Sequence, residues 1–258
     1  MGFTLQIGNP ALLAELTSIS VIADFRSRDI AAGGQGAPLV PAFHAAVFRH
    51  AQHHRVIVNI GGIANLTDLP PDGAVTGFDC GPGNILMDAW AMRHLGKPYD
   101  EDGAWADGGS VIADLLEKLR SEPFFSKPPP KSTGRDLFSL NWLQPSLSTT
   151  HTNQDVQATL LQLTAKSIAD TVKHHCYGAK EIYLCGGGAK NRALVTAIQQ
   201  HLAGTSVSLT NDLGVDAEWV EAFAFAWLAR QTLKGKPGNL PEVTGARHPC
   251  VLGAIYPA

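Results

Sequence analysis

Long apolar runs, clusters of basic residues and closely paired cysteines are all missing from this 258-residue sequence. No stretch approaches the roughly 18 uninterrupted apolar residues of a membrane-spanning helix, so no membrane association is expected. No run of Lys or Arg exceeds two residues and the net charge is -3, which argues against nucleic acid as the main partner. The opening residues MGFTLQIGNP show no signal-peptide pattern, so a cytoplasmic protein is expected.

Metal-binding patterns are also scarce. The four cysteines are far apart and form no C-x-x-C pair, which favours reduced thiols. Two histidine clusters, HAQHH at 50–54 and KHHC at 173–176, lie at the ends of helical patterns. Because neither cluster has a further carboxylate or thiolate at ligand spacing, no metal-ligating residues are predicted.

What the sequence does contain is an alternation of strand-like and helix-like segments. RVIVNI reads as a buried strand, and the Gly61-Gly62 pair that follows predicts a hairpin to a second strand. Helices are predicted near 84–94 and 153–174, whereas 97–109 and 121–136 look like loops. This alternation predicts an α/β fold with a mixed sheet.

Three glycine turns each follow an apolar strand: NIGGIANLT at 59–67, GFDCGPGN at 77–84 and CGGGAKN at 185–191. Glycine lets the backbone N–H groups approach a ligand closely, and a following helix N-terminus favours anions. Any one turn alone is more simply a tight connection. Together, the turns predict convergence on one cleft at the carboxyl ends of the strands.

The familiar nucleotide signatures are absent. The tripeptide KST at 131–133 follows three prolines instead of a Walker A glycine loop, and Leu86 stands where a dinucleotide fingerprint needs its third small residue. No H-E-x-x-H or G-x-S-x-G motif occurs. Lys131 and Arg135 fit either a substrate cleft or an ordinary solvated loop.

Asp79 stands at the end of a predicted strand, directly before the second glycine turn. A carboxylate on a cleft floor can accept a proton from water or a hydroxyl while nearby N–H groups hold a phosphate. An Asp in this position can equally cap the turn or helix through local backbone hydrogen bonds. Spacing alone leaves both interpretations open.

Longer motifs point to a family. The stretches that carry the resemblance include SVIADFRSRDIAAGGQGAPLVPAFH, VNIGGIANLT, GFDCGPGNILMDAW, PPKSTGRD, CGGGAKN and VEAFAFAWLA. In this order the sequence resembles the anhydro-N-acetylmuramic acid kinase family of the actin/hexokinase-like ATPase superfamily. The resemblance implies an actin-like ATPase (ribonuclease H-like) fold. Residues 25–258 would form the C-terminal lobe with the sugar site and part of the ATP site, and residues 1–24 a remnant of the N-terminal lobe.

The resemblance also implies a reaction and its residues. ATP, with Mg²⁺, would drive the opening of 1,6-anhydro-N-acetylmuramic acid to N-acetylmuramic acid 6-phosphate. The family's catalytic base falls on Asp79, while Arg26 and Glu221 are predicted sugar contacts. The predicted ATP-binding residues are Asn59, Gly61, Gly62, Asn65, Gly81, Gly83, Asn84, Gly186, Gly187, Gly188 and Asn191. A homodimer is a further expectation.

One family element has no counterpart in the sequence. The strand hairpin M-S-G-T-S-x-D-G, which grips the ATP phosphates in the family, does not occur, and Cys80 replaces the usual Thr. Two interpretations therefore stand: a shortened version of a working kinase, or a short protein in which the ATP grip is broken. In the second case the chain would be a non-catalytic amino-sugar or nucleotide-binding remnant or a partner subunit.

Overall fold

The structure, a computed structural model that describes residues 3–258, is a mixed α/β fold. Its strands are β1 Val21–Ala23, β2 Arg55–Ile60, β3 Ile63–Leu69, β4 Thr76–Pro82, β5 Glu181–Cys185, β6 Ser206–Leu209 and β7 Ala254–Tyr256. Its helices are α1 Pro10–Thr17, α2 Ser27–Ala31, α3 Val40–Phe48, α4 Ile85–Leu95, α5 Ala104–Asp107, α6 Ala113–Arg120, α7 Pro123–Ser126, α8 Leu140–Leu143, α9 Asn153–His175, α10 Arg192–His201, α11 Val220–Leu233 and α12 Pro241–Thr244. Short 3₁₀ turns lie at Glu101–Gly103, Gln144–Ser146, Gly187–Lys190 and Thr210–Leu213.

The larger sheet has five strands in the order β4-β3-β2-β5-β6. Strands β2 and β3 form the predicted antiparallel hairpin, while β2 pairs with β5, and β5 with β6, in parallel. The predicted mixed sheet is therefore confirmed. Because β2 and β5 run in parallel, their carboxyl ends, each followed by a glycine turn, meet at one edge of the sheet.

The middle strand β2 is covered on both faces. Val56, Ile57 and Val58 are consecutive, so their side chains alternate between the two faces, and each is 0% exposed. A strand buried on both faces reads as a continuous apolar run rather than an alternation. Burying each such side chain contributes about 1.5–3 kcal/mol, so this strand anchors the sheet.

Helix α9 is the longest element that supports this sheet. Thr152 caps its start, since Thr152 Oγ1 accepts a hydrogen bond from the Asp155 N–H at 3.1 Å and donates to the Asp155 carboxylate at 2.7 Å. The predicted helix at 153–174 is confirmed, and its inward side chains include the buried Leu160 and Leu163. Along its length α9 packs against α4, α5, α6 and α10.

The chain divides into two compact units. The first comprises the described residues up to Arg49 together with Asp72–Gly77 and Glu221–Ala258, and the second comprises His50–Pro71 and Phe78–Val220. One hydrophobic cluster in the core of the first unit consists of Phe25, Ala32, Leu39, Leu228, Ala246, Cys250 and Leu252. These units do not coincide with the predicted lobe boundary between residues 24 and 25, so that boundary stays a prediction.

Two segments predicted as loops contain short helices. Within 97–109, the Asp100 carboxylate accepts hydrogen bonds from the N–H groups of Trp105 and Ala106, both at 2.9 Å. Within 121–136, the Glu122 side chain caps α7. The loop prediction was wrong at these places because a single capping carboxylate stabilises one helical turn without any apolar periodicity.

In the folded chain, two carboxylates lie against the first histidine cluster. His54 Nε2 lies 2.6 Å from Asp68 Oδ1, and His53 pairs with Glu181. Both carboxylates come from neighbouring strands, so spacing along the chain did not reveal them. Across residues 3–258, none of the helices is both long enough and apolar enough to cross a membrane.

Candidate active site

Two of the glycine turns are joined by backbone hydrogen bonds. The Gly83 N–H donates to the Gly62 carbonyl at 2.9 Å, and the Asn84 N–H donates to the Gly61 carbonyl at 2.8 Å. These two amides are thus already engaged within the protein. The Asn84 side chain donates one of its two Nδ2 N–H groups to the Ile60 carbonyl at 3.3 Å, which leaves the second for a ligand such as a phosphate.

The third glycine turn packs against the same point. A Cβ added at Gly188 would lie 2.3 Å from Ile60 Cγ2, and one added at Gly186 would lie 2.5 Å from Asn59 Oδ1. Asn59 is also paired with Asn65 across the hairpin and with Cys185 on β5. The three turns therefore converge within the second unit, as the sequence predicted.

Replacing Gly83 with Ala should destabilise the protein markedly. A Cβ at this position would lie 2.2 Å from the Gly61 carbonyl oxygen, so two backbone segments would have to separate. We expect the free energy of unfolding to fall by about 1–3 kcal/mol, the usual cost of overpacking.

The matched control is Gly62→Ala in the partner turn. Its nearest neighbour would be Ile85 Cβ at 3.9 Å, an ordinary contact, so the change should stay within about 0.5 kcal/mol. Urea unfolding of both variants provides the measurement. Equal losses from the two substitutions would contradict the close packing of the turns.

An open cleft of about 410 Å³ adjoins the converged turns. It is lined by Asn84, Asp88, Tyr99, Asp100, Glu101, Asp102, Gly187, Lys190, Asn191 and Glu218. Gly187 is exposed, which leaves backbone accessible to a ligand. Asn191 has a structural role as well, because its side chain caps α10 by accepting the Leu194 N–H at 2.9 Å.

Asp88 is the notable carboxyl group of this cleft. Burial raises the pKa of Asp88 to about 6. Such a shift means that the protein alone does not offset the cost of burying the charged form of this carboxyl. Groups of this kind concentrate at functional sites. Asp88 is not among the residues predicted from the sequence, although its position in the first turn of a helix after a glycine turn was a usable signal.

Asp79 is partly buried on β4 and is held by a distant segment. Its Oδ2 accepts a hydrogen bond from the Thr133 N–H at 2.8 Å, and its own N–H donates to the Lys131 carbonyl at 3.1 Å. Its carboxylate thus binds a residue 54 positions away rather than capping its own turn. Burial raises the pKa of Asp79, while the Thr133 hydrogen bond and the Lys131 charge oppose the rise.

Lys131 is buried, whereas Arg135 is exposed. Of the two interpretations that the sequence left open for this segment, a solvated loop is therefore wrong for Lys131. The Lys131 carbonyl reaches Asp79 directly, so this residue is a part of the site that motif analysis did not assign.

Cys80, which stands in place of the family's Thr, is fully buried on the other side of β4. Burial, together with the Asp79 charge, raises the pKa of the Cys80 thiol to about 12, and the nearby Thr171 side chain opposes the rise. The thiol is therefore neutral at physiological pH and acts as a small packed side chain.

Arg26 and Glu221 belong to the first unit. Arg26 is partly buried, and its Nη1 donates to the Gly36 carbonyl at 2.7 Å. Glu221 is exposed in the first turn of α11. Gly81, in the second unit, is enclosed, since an added Cβ would lie 2.7 Å from Phe125 Cε1.

Comparison with known proteins covers the whole chain. The family model described as anhydro-N-acetylmuramic acid kinase matches residues 1–258. The chain belongs to the anhydro-N-acetylmuramic acid kinase family. The observed mixed α/β fold agrees with the α/β class that the resemblance to this family implied.

Individual relatives in the family are close in sequence. The anhydro-N-acetylmuramic acid kinase of Nitrosomonas europaea is 61% identical over 257 residues, which cover 100% of this chain and 71% of that protein. The one from Nitrosospira multiformis is 62% identical over 257 residues, covering 100% of this chain and 70% of that protein. The chain thus spans about 70% of the length of these family members.

Solved structures give only weaker likenesses. A xylulose kinase from Rhodospirillum rubrum is 15% identical with a TM-score of 0.44, covering 70% of this chain and 40% of that one. An activator of 2-hydroxyisocaproyl-CoA dehydratase from Clostridium difficile, solved with bound ADPNP, is 16% identical with a TM-score of 0.42, covering 75% of this chain and 67% of that one.

Proposed function

We propose that this protein is an ATP-dependent kinase that opens 1,6-anhydro-N-acetylmuramic acid and phosphorylates its O6, a step of peptidoglycan recycling. The product would be N-acetylmuramic acid 6-phosphate. The observation that carries the proposal is the carboxylate of Asp79, fixed by the Thr133 N–H on the strand that leads into the second of three converged glycine turns, in a chain of this family.

Asp79 would act as the general base. Water would attack the anomeric carbon and give its proton to the Asp79 carboxylate, while the bond from that carbon to O6 breaks. The freed O6 would take the γ-phosphoryl group and ADP would leave. The Thr133 N–H supports this role because it orients one carboxylate oxygen and leaves the other to face a proton.

The converged turns would bind the nucleotide. The amides of Gly83 and Asn84 bind carbonyls, so accessible backbone at Gly62 and Gly187 is the better candidate for phosphate contact. The remaining members of the predicted ATP set, such as Gly61 and Gly188, would shape the backbone around these positions. The adjoining acidic cleft suits the uncharged, donor-rich nucleoside end better than the phosphates, because like charges repel.

Mg²⁺ would accompany ATP and neutralise the phosphate charge. It is usually held by one or two carboxylates together with phosphates and water. Asp88, which lines the cleft beside the glycine turns, fits that requirement.

Arg26 and Glu221 remain proposed sugar contacts. Arg26 is held by the Gly36 carbonyl and keeps further guanidinium donors for a ligand, while the exposed Glu221 carboxylate can accept hydrogen bonds from sugar hydroxyls. A cytoplasmic homodimer is likewise proposed for the protein as a whole.

The test supplies the purified protein with ATP, Mg²⁺ and the anhydro sugar and measures sugar phosphate by mass spectrometry. We expect a product that requires all three. Saturable sugar binding by calorimetry without any product would instead favour a non-catalytic binding protein. Phosphorylation of N-acetylglucosamine at an equal rate would overturn the assigned substrate.

A further inference from the structure

The segment 131–133 is attached to Asp79 at two points. The Lys131 carbonyl accepts the Asp79 N–H, and the Thr133 N–H donates to the Asp79 carboxylate. These bonds leave the carboxylate little freedom to rotate. The position of the proposed base therefore depends on what fixes this segment.

Lys131 fixes the segment through its side chain. The residue is only 8% exposed, although lysine is among the side chains least often buried. Its Nζ donates to the carbonyls of Phe125 at 3.2 Å and Phe124 at 3.4 Å and lies 4.8 Å from the centroid of the Phe124 ring. These contacts bind the ammonium to α7 and hold the segment in place.

The other charged groups around Lys131 offset one another. A cavity of about 220 Å³ beside Lys131 is also lined by Arg120, Asp170, His174 and His175. Arg120 Nη2 donates to Asp170 Oδ2 at 2.8 Å, so these two charges largely cancel. Burial, with Lys131 nearby, lowers the pKa of His175 and so favours its uncharged form, and His174 is exposed to solvent.

We propose that Lys131 is a positioning residue for Asp79: its buried ammonium fixes the 131–133 segment and supplies the positive charge that the proposed base needs beside it. The inference rests on the proposed function only in giving Asp79 the role of base. The geometry of the segment and the buried ammonium stand apart from that role.

The sign of the expected effect follows from the charges. Burial raises the pKa of Asp79, and the Lys131 charge opposes this rise. Without that charge the folded-state pKa of Asp79 should rise further, so the carboxyl becomes protonated at a higher pH. A protonated carboxyl cannot accept a proton from water.

The test is a ¹³C NMR titration of the Asp79 carboxyl group, with the Asp79→Asn spectrum to identify its signal. We compare the wild type with Lys131→Met and with Lys127→Met, a matched control at an exposed lysine four positions earlier. Lys131→Met should move the Asp79 midpoint upward by about one pH unit, a tenfold rise in proton affinity, and Lys127→Met should leave it unchanged.

Two further variants separate charge from folding. Lys131→Gln keeps donors for the Phe124 and Phe125 carbonyls but has no charge, so it should show the same upward shift even if Lys131→Met does not fold. Lys131→Arg should restore the wild-type midpoint. If the midpoint of Lys131→Gln stays within about twofold of the wild type in proton affinity, the proposal is overturned.

The kinetic counterpart is the acid limb of the pH profile of kcat/KM for the sugar. Lys131→Gln should shift this limb to higher pH and lower kcat more than it raises KM. Because the NMR midpoint requires no turnover, it decides the role of Lys131 even if no sugar phosphate forms. Failure of the proposed function and failure of this inference are therefore distinguishable.

Discussion

Asp79→Asn should lower the turnover of the anhydro sugar by about 10²–10⁴-fold, the usual contribution of a general base. The amide has the shape of the carboxylate and can still accept the Thr133 N–H through its oxygen. It cannot accept the proton of the attacking water. Affinity for the sugar should therefore stay within a few-fold, as measured by calorimetry alongside the rate of sugar phosphate formation.

Asp136→Asn is the matched control for this prediction. Asp136 is exposed and follows the same segment that contacts Asp79, so its substitution removes one negative charge from the region without touching the carboxylate. Its turnover should remain close to that of the wild type. An Asp79→Asn variant that keeps wild-type turnover would show that another group accepts the proton.

Asp29→Ala should cause a large loss of stability in the first unit. Asp29 is 0% exposed on α2. Its Oδ1 accepts hydrogen bonds from Asn239 Nδ2 and Thr244 Oγ1, both at 2.7 Å, and its Oδ2 accepts the Gly36 N–H at 2.8 Å. Truncation leaves three buried donors without this acceptor.

The expected drop in the free energy of unfolding is about 3–5 kcal/mol, because each unsatisfied buried partner costs about 1–3 kcal/mol and the costs overlap. Asp29→Asn should lose less, since its amide oxygen can still accept hydrogen bonds. Glu15→Ala, at an exposed position on α1, is the control and should change stability by less than about 0.5 kcal/mol. Urea unfolding measures all three, and a loss below about 1 kcal/mol for Asp29→Ala would mean that water replaces the carboxylate.

Local patterns in the sequence were sufficient for most of the secondary structure. The hairpin at Gly61-Gly62 and the helix from Asn153 onward depend on neighbours within a few positions, where the periods of strand and helix are directly visible. The short helices α5 and α7 were not predicted, because one capping carboxylate, rather than a periodic apolar pattern, stabilises each of them.

The candidate site also contains both kinds of residue, those that sequence motifs mark and those that only the folded structure reveals. The glycine turns and Asp79 are motif residues, and the family follows from them. Asp88 and Lys131 were not assigned, since their significance lies in burial: one carboxyl whose pKa is raised to about 6, and one ammonium enclosed by main-chain carbonyls.

By itself, then, the sequence determined the α/β class, the family and the identity of the proposed base, because strand and helix periodicity and contiguous motifs are written within short windows. Only the tertiary structure decided which groups hold that base and which charged groups are buried. Thr133 reaches Asp79 from 54 positions away, and Thr244 reaches Asp29 from 215. The packing of sheets and helices determines such partners. It brings together residues whose spacing along the chain follows neither the helix nor the strand period.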